Sequence, residues 1–344
     1  MRLKLTIISL LLLCLSSGCA QAKGFDYLDA ITKPYQFNIA QWELKTITSD
    51  AGLLLSGNQG EGLEGTIARQ IRETLAEEGI FNPVENWLRF SFPPLYFKLE
   101  KPPHLLVVSP RDRIESIREV LLQADLSREE AEDIEARVDK LGVSSLVVEL
   151  GGLATYPTFV TDNTDLGFTI ETVTHEWLHQ YLAFTPLGFL YLLDTTGISK
   201  NYEIATIDET VASMVSKEIG AMVIKRYYPD YKKGKEEAKS GFDFNGEMRE
   251  IRSAVDNYLA QGEIAKAEEF MEQKRQYLAL NGYPIRKLNQ AYFAFYGTYA
   301  DSPTSISPIG VELKRLREQS ASLKNFLDTV ATITSQQELA AMAR

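Results

Sequence analysis

The chain has 344 residues, 44% hydrophobic and 24% charged, an ordinary globular composition that excludes a mainly disordered protein and allows one large core or two smaller ones. Its 36 Lys and Arg against 47 Asp and Glu leave a formal charge of −11, a field that repels nucleic acid and excludes it as a partner. Both cysteines, Cys14 and Cys19, lie near the N-terminus, so the rest of the chain has no disulfide, cysteine nucleophile or Cys-ligated zinc.

Arg2 and Lys4 precede the apolar run Leu5 to Leu15 and then small residues, so residues 1–22 read as a bacterial export signal whose run is too short for a comfortable transmembrane helix. Two processing sites overlap there. Leu15-Ser16-Ser17-Gly18-Cys19 resembles a lipoprotein box, and Ala20-Gln21-Ala22 fits an A-x-A cleavage site. Lipidation of Cys19 is favoured, because Gly-Cys directly follows the apolar run. The expected location is outside the cytoplasm, either membrane-attached through an N-terminal lipid anchor or secreted.

Residues 24–60 are expected to be extended with a short helix, anchored by Tyr35, Ile39 and Trp42, before the break at Asn58 to Gly62. Ile67, Ile71 and Leu75 form a helical stripe ending at Gly79. Leu95 to Leu99 and Leu105 to Val108 read as strands joined through Lys101-Pro102-Pro103, which makes His104 an exposed turn residue. Charged amphipathic helices are expected over 112–123 and 127–141, the second opened by the capping box Ser127-x-x-Glu130. Ser144 to Glu149 is a β-branched strand, after which Gly151-Gly152 leads an extended stretch to Pro157.

Asp165 or Thr164 can cap a helix running from about Phe168 to Ala183. Ile170, Val173, Trp177, Leu178, Tyr181 and Leu182 cover much of its surface, which implies deep burial. Within it lies His175-Glu176-x-x-His179. Two histidines four apart project from one side of a helix and can reach a single Zn2+ at about 2.0–2.1 Å. Glu176, roughly 100° away around the helix, can overhang the ion without ligating it. With three histidines in the whole chain, coincidence is a poor account of this spacing.

Phe184 to Lys200 is an apolar connection, expected to line a specificity pocket, pack as a short helix or touch a membrane surface. Tyr202 to Arg226 is a long helix with an apolar stripe from Ile207 to Val223. Asn245 to Leu278 reads as two solvent-exposed helices split near Gln261-Gly262. Ile309 to Ala340 reads as further helix, with Leu313, Leu316, Leu323 and Phe326 as packing positions.

Catalytic zinc generally takes three protein ligands. With no downstream histidine the third must be a carboxylate, and Glu203, Asp208, Glu209 and Glu218 all lie on or beside the long helix. Glu209 is chosen because it sits early on that helix and small Ala212, one turn on, allows close packing against the zinc helix. His175-Glu176-x-x-His179 followed by Glu209-x-x-Ala212 resembles the gluzincin pattern of thermolysin-like and aminopeptidase-type enzymes. With the Gly-Cys signal and the Asn289-Gln290-Ala291 helix, the chain is also similar to the predicted bacterial aminopeptidase family of exported, lipid-attached proteins.

The resemblance implies an α+β, zincin-like fold: an N-terminal lobe over 23–183, with a small sheet and ending in the zinc helix, and a mainly helical lobe over 184–344 carrying the third ligand. It implies zinc-dependent hydrolysis of a peptide or protein substrate, in which zinc lowers the pKa of its water and Glu176 acts as general base. The strand before the zinc helix, with small Gly151, Gly152 and Ala154, would be the edge on which substrate pairs. A tyrosine hydroxyl would complete the oxyanion site; Tyr292, Tyr296 and Tyr299 are candidates, and Tyr296 is chosen. Glu149 could hold the free amine of an exopeptidase substrate, although an endopeptidase would carry the same zinc motif. The alternative is a non-catalytic zinc- or peptide-binding lipoprotein, against which Glu176 weighs, since a structural site does not require it.

Overall fold

The computed structural model describes residues 26–43, 45–46, 62–80, 94–162, 164–232 and 241–344. The export signal, both cysteines and most of the 58–62 break lie outside them. In chain order the elements are α1 (Asp26–Thr32), a 3-10 turn (Lys33–Tyr35), α2 (Leu63–Glu77), β1 (Phe97–Leu99), β2 (His104–Pro110), β3 (Arg118–Leu122), α3 (Arg128–Asp139) and β4 (Val143–Glu149). There follow β5 (Gly152–Leu153), β6 (Thr158–Val160), α4 (Leu166–Leu182), α5 (Pro186–Thr195), α6 (Tyr202–Tyr227), α7 (Phe244–Ala260) and α8 (Ile264–Leu280). The chain closes with α9 (Gln290–Tyr296), α10 (Ile309–Gln319), α11 (Leu323–Val330) and α12 (Gln336–Met342). The architecture is α+β, with two three-stranded sheets among the helices. Among the described residues no helix is long and apolar enough to cross a membrane.

The first sheet is antiparallel, in the order β3-β2-β4, with Val107 opposite Leu146 on one side and Glu119 on the other. Alternate residues serve opposite faces. Leu106, Val108, Val120, Leu122 and Val147 pack with α1 and α3, while Leu105, Val107, Leu146 and Val148 pack with α9. Because both faces are covered, β2 reads as a nearly unbroken apolar run rather than an alternation.

Three expectations fail in this region. The helix expected over 112–123 is instead loop and β3: Val120 and Leu122 are buried at period two, and pairing with β2 outweighs the helical spacing of the charges around them. His104 is no exposed turn residue; it opens β2, buried, with Nδ1 3.0 Å from the Gln123 carbonyl oxygen. Tyr35, Ile39 and Trp42 do not share one helix, because Gln36 bridges to Leu122 between them. The capping box at Ser127 and Glu130 forms as expected.

In the second sheet β1 runs parallel to β6, and the two-residue β5 is antiparallel to it at an edge. Phe97 and Val160 of this sheet join α2, α4, α6 and the C-terminal helices in the largest core. That core crosses the boundary expected at residue 183. The helix pair α7 and α8 turns at Gly262, whose φ of 74° suits glycine, and buries Met248, Ile251, Val255 and Met271 against Phe293 of α9. Helix α9 returns to the first sheet, where Asn289 donates to the Ser145 carbonyl at 2.9 Å and Arg286 pairs with the buried Glu135 at 2.6 Å.

Candidate metal centre

Helix α4 starts where Asp165 accepts from the backbone N–H groups of Gly167 and Phe168 at 2.9 and 3.1 Å. Its buried stripe, Ile170, Val173, Trp177 and Leu178, packs in the same core as Ile204, Ile207, Val211 and Val215 of α6. Side-by-side packing of these helices turns His175 and His179 towards Glu209. The Nε2 atoms of the two histidines lie 3.1 Å apart, and Glu209 Oε2 is 3.2 Å from His175 Nε2 and 3.6 Å from His179 Nε2. Ligands about 2.0–2.1 Å from one zinc ion at tetrahedral angles stand about 3.3 Å from each other, so the triangle has the size the ion needs.

The chemistry of the donor set agrees. Asp208 and Glu209 are adjacent in sequence; burial pushes the Asp208 carboxyl above its usual range, against its hydrogen bond to His179, whereas for Glu209 burial is outweighed by the opposing pull of His179 and His175, which holds it well below the usual range. Asp208 Oδ2 is buried without a hydrogen-bond partner among the described residues. Clustered carboxylates removed from water call for a cation. Asp208 Oδ1 accepts from His179 Nδ1 at 2.7 Å, which orients that ring with Nε2 towards the other two donors. His175, His179 and Glu209 are thus the residues here that could hold a metal.

Glu176 is partly buried beside the triangle. Burial pushes its carboxyl above the usual range, against the pull of the two histidines, with Glu209 adding to the rise. The edge strand β5 runs directly past it: a Cβ on Gly152 would stand 2.7 Å from Glu176 Oε1 and 2.8 Å from its Cγ. The missing side chain at Gly152 therefore admits the glutamate itself, whereas that at Gly151 makes room for Phe168.

Two tyrosines reach the cluster. Tyr191 of α5 donates to Glu209 Oε1 at 2.5 Å and stacks on His179 with centroids 5.0 Å apart. Tyr299 has its ring 6.1 Å from that of His175, with its hydroxyl close enough to Glu209 to be influenced by that carboxylate's charge. Thr210, next to Glu209, holds the Tyr299 segment by accepting from Ala300 N at 2.9 Å. Burial first, then the charge of Glu209, raises both phenols well above their ordinary range, so both remain donors.

Of the residues singled out from sequence, His175, Glu176, His179 and Glu209 come together. Tyr296 packs instead on Tyr292 and Phe295, and among the described residues no hydrogen bond joins its side chain to the cluster. Glu218 pairs with Arg317 at 2.9 Å, and Glu203 is exposed in the first turn of α6. Glu149 ends β4 with its side chain 80% exposed, 3.7 Å from His104 Nε2. Sequence reasoning missed Tyr191; its one signal is a lone hydroxyl within Phe189-Leu190-Tyr191-Leu192-Leu193, between the two ligand-bearing helices. Compared with family models, curated proteins and solved structures, the chain matches none of them.

Proposed function

We propose that this chain is a zinc-dependent peptide hydrolase of the gluzincin type, aminopeptidase or endopeptidase, with a zincin-like arrangement of its ligand helices. We place it outside the cytoplasm, attached to a membrane by lipid on Cys19. The observation that carries the reading is the triangle of His175, His179 and Glu209, sized for one tetrahedral zinc, with Glu176 beside it.

Zinc held there would polarise the scissile carbonyl and lower the pKa of the attacking water. Glu176 accepts the proton of that water as its oxygen bonds to the carbonyl carbon, and returns it to the amine nitrogen as the C–N bond breaks. Tyr299 takes the role expected of Tyr296 and donates its hydroxyl to the carbonyl oxygen as negative charge develops. At Gly152 no side chain stands between Glu176 and a peptide backbone laid along the β5 edge, which supports pairing there.

Elemental analysis of the soluble protein starting after Cys19 tests the reading. About one zinc is expected in the wild type and in Glu176→Gln, with most of it lost from Glu209→Gln. Hydrolysis of a peptide library is expected from the wild type alone. Wild type that holds no zinc after reconstitution excludes the reading, and zinc without hydrolysis points to the binding lipoprotein. Cleavage of free-amine but not blocked peptides would identify an aminopeptidase and make Glu149 the next residue to replace.

A further inference from the structure

Glu209 has two carboxylate oxygens, and the structure sorts them. Oε2 faces the two histidine Nε2 atoms, at 3.2 and 3.6 Å, whereas Oε1 accepts from the Tyr191 hydroxyl at 2.5 Å. We propose that Tyr191 is a positioning residue that occupies Oε1 and so holds Glu209 to ligation through Oε2 alone. The proposal rests on the zinc reading above.

Helix α5 is built to hold Tyr191 still. At its start, Gly188 lies against the end of α4 so closely that a Cβ there would come 2.2 Å from the Leu182 carbonyl. At its end, the buried Asp194 accepts from the backbone N–H of Asn201 at 2.6 Å, and Asn201 in turn caps α6. The helix is therefore a strut between the two ligand-bearing helices. From it one side chain touches two of the three ligands, its hydroxyl on Glu209 and its ring stacked on His179 at an interplanar angle of 23°.

A carboxylate is free to bind a metal through one oxygen or two. With three single-atom protein ligands a catalytic zinc keeps a fourth position for water; a carboxylate that turned to bind through both oxygens would add a fifth donor and crowd that water. A hydrogen bond to the far oxygen prevents that turn and fixes where the near one points.

The test is Tyr191→Phe, which keeps the ring on His179 and removes only the O–H. Zn2+ affinity is measured by competition with a chelator, and Co2+ is substituted to read coordination number, since cobalt absorbs more strongly in four- than in five-coordinate sites. The variant is expected to bind Zn2+ about tenfold to a hundredfold more weakly. Its cobalt form is expected to lose visible absorption relative to the wild type. A Tyr191→Phe protein that matches the wild type in both affinity and spectrum overturns this proposal and leaves the zinc reading standing. A wild type that takes up neither metal overturns both.

Discussion

Glycine at 152 is the residue on which Glu176, the proposed base, depends. Its missing side chain leaves the space that Glu176 fills, and any Cβ there meets both the carboxyl oxygen and Cγ of Glu176 as well as Thr172 Cγ2 at 2.7 Å. Gly152→Ala is therefore expected to displace Glu176 without touching the three ligands. Hydrolysis should fall by about 10²–10⁴-fold, the usual contribution of a positioned general base, while zinc content stays at the wild-type level. If the alanine variant hydrolyses peptides at the wild-type rate, Glu176 is not held by this contact. Asp208 illustrates the same dependence on a neighbour: adjacent to Glu209 in sequence, it turns instead towards the far side of His179.

Among the elements, helices with a sustained apolar stripe or a capping pattern were legible from sequence: α2, α3, α4, α6 and the pair α7 and α8 lie where periodicity puts them. Strand β3 was not. Arg118, Glu119 and the acidic and basic residues before them mimic a helical surface, and pairing with the preceding strand β2 makes this stretch a strand. The meeting of His175, His179 and Glu209 was legible because two come from one helix turn and the third from the next long helix. Tyr191 was not, because a hydroxyl in an apolar connection acquires partners only through packing; Tyr299 was among the three candidate tyrosines, but only packing beyond the end of α9 distinguishes it from Tyr296. Helix α5 makes this dependence measurable. Gly188→Ala forces a Cβ against the Leu182 carbonyl, and is expected to cost about 1–3 kcal/mol in urea unfolding and to weaken zinc binding by shifting Tyr191. Unchanged zinc affinity in a destabilised variant would show that the strut does not set the site.

For the whole molecule, stability should carry the signature of one buried acid. Glu43 is buried, with Oε1 accepting from the backbone N–H of Tyr156 at 3.1 Å, and burial pushes its carboxyl up to about 7 against that hydrogen bond. Between its ordinary value of 4.5 and about 7, the folded protein keeps a proton that the unfolded chain has released. Raising the pH through this window therefore destabilises the fold, by up to about 3 kcal/mol once complete. Glu43→Gln mimics the protonated carboxyl, so its stability relative to wild type is expected to grow from pH 4.5 to 8 in denaturant titrations. A constant difference across that range would sink the assignment.

The distribution of the proposed metal centre along the chain has a consequence for folding. His175 and Glu209 are separated by 34 positions and bridged by one short helix, whereas the Thr210–Ala300 contact that fixes Tyr299 spans 90. Closing the smaller loop costs less entropy and needs no sheet to exist first. In kinetic terms the ligands can meet early, and Tyr299, the donor assigned to the oxyanion, arrives only when the C-terminal third of the chain docks.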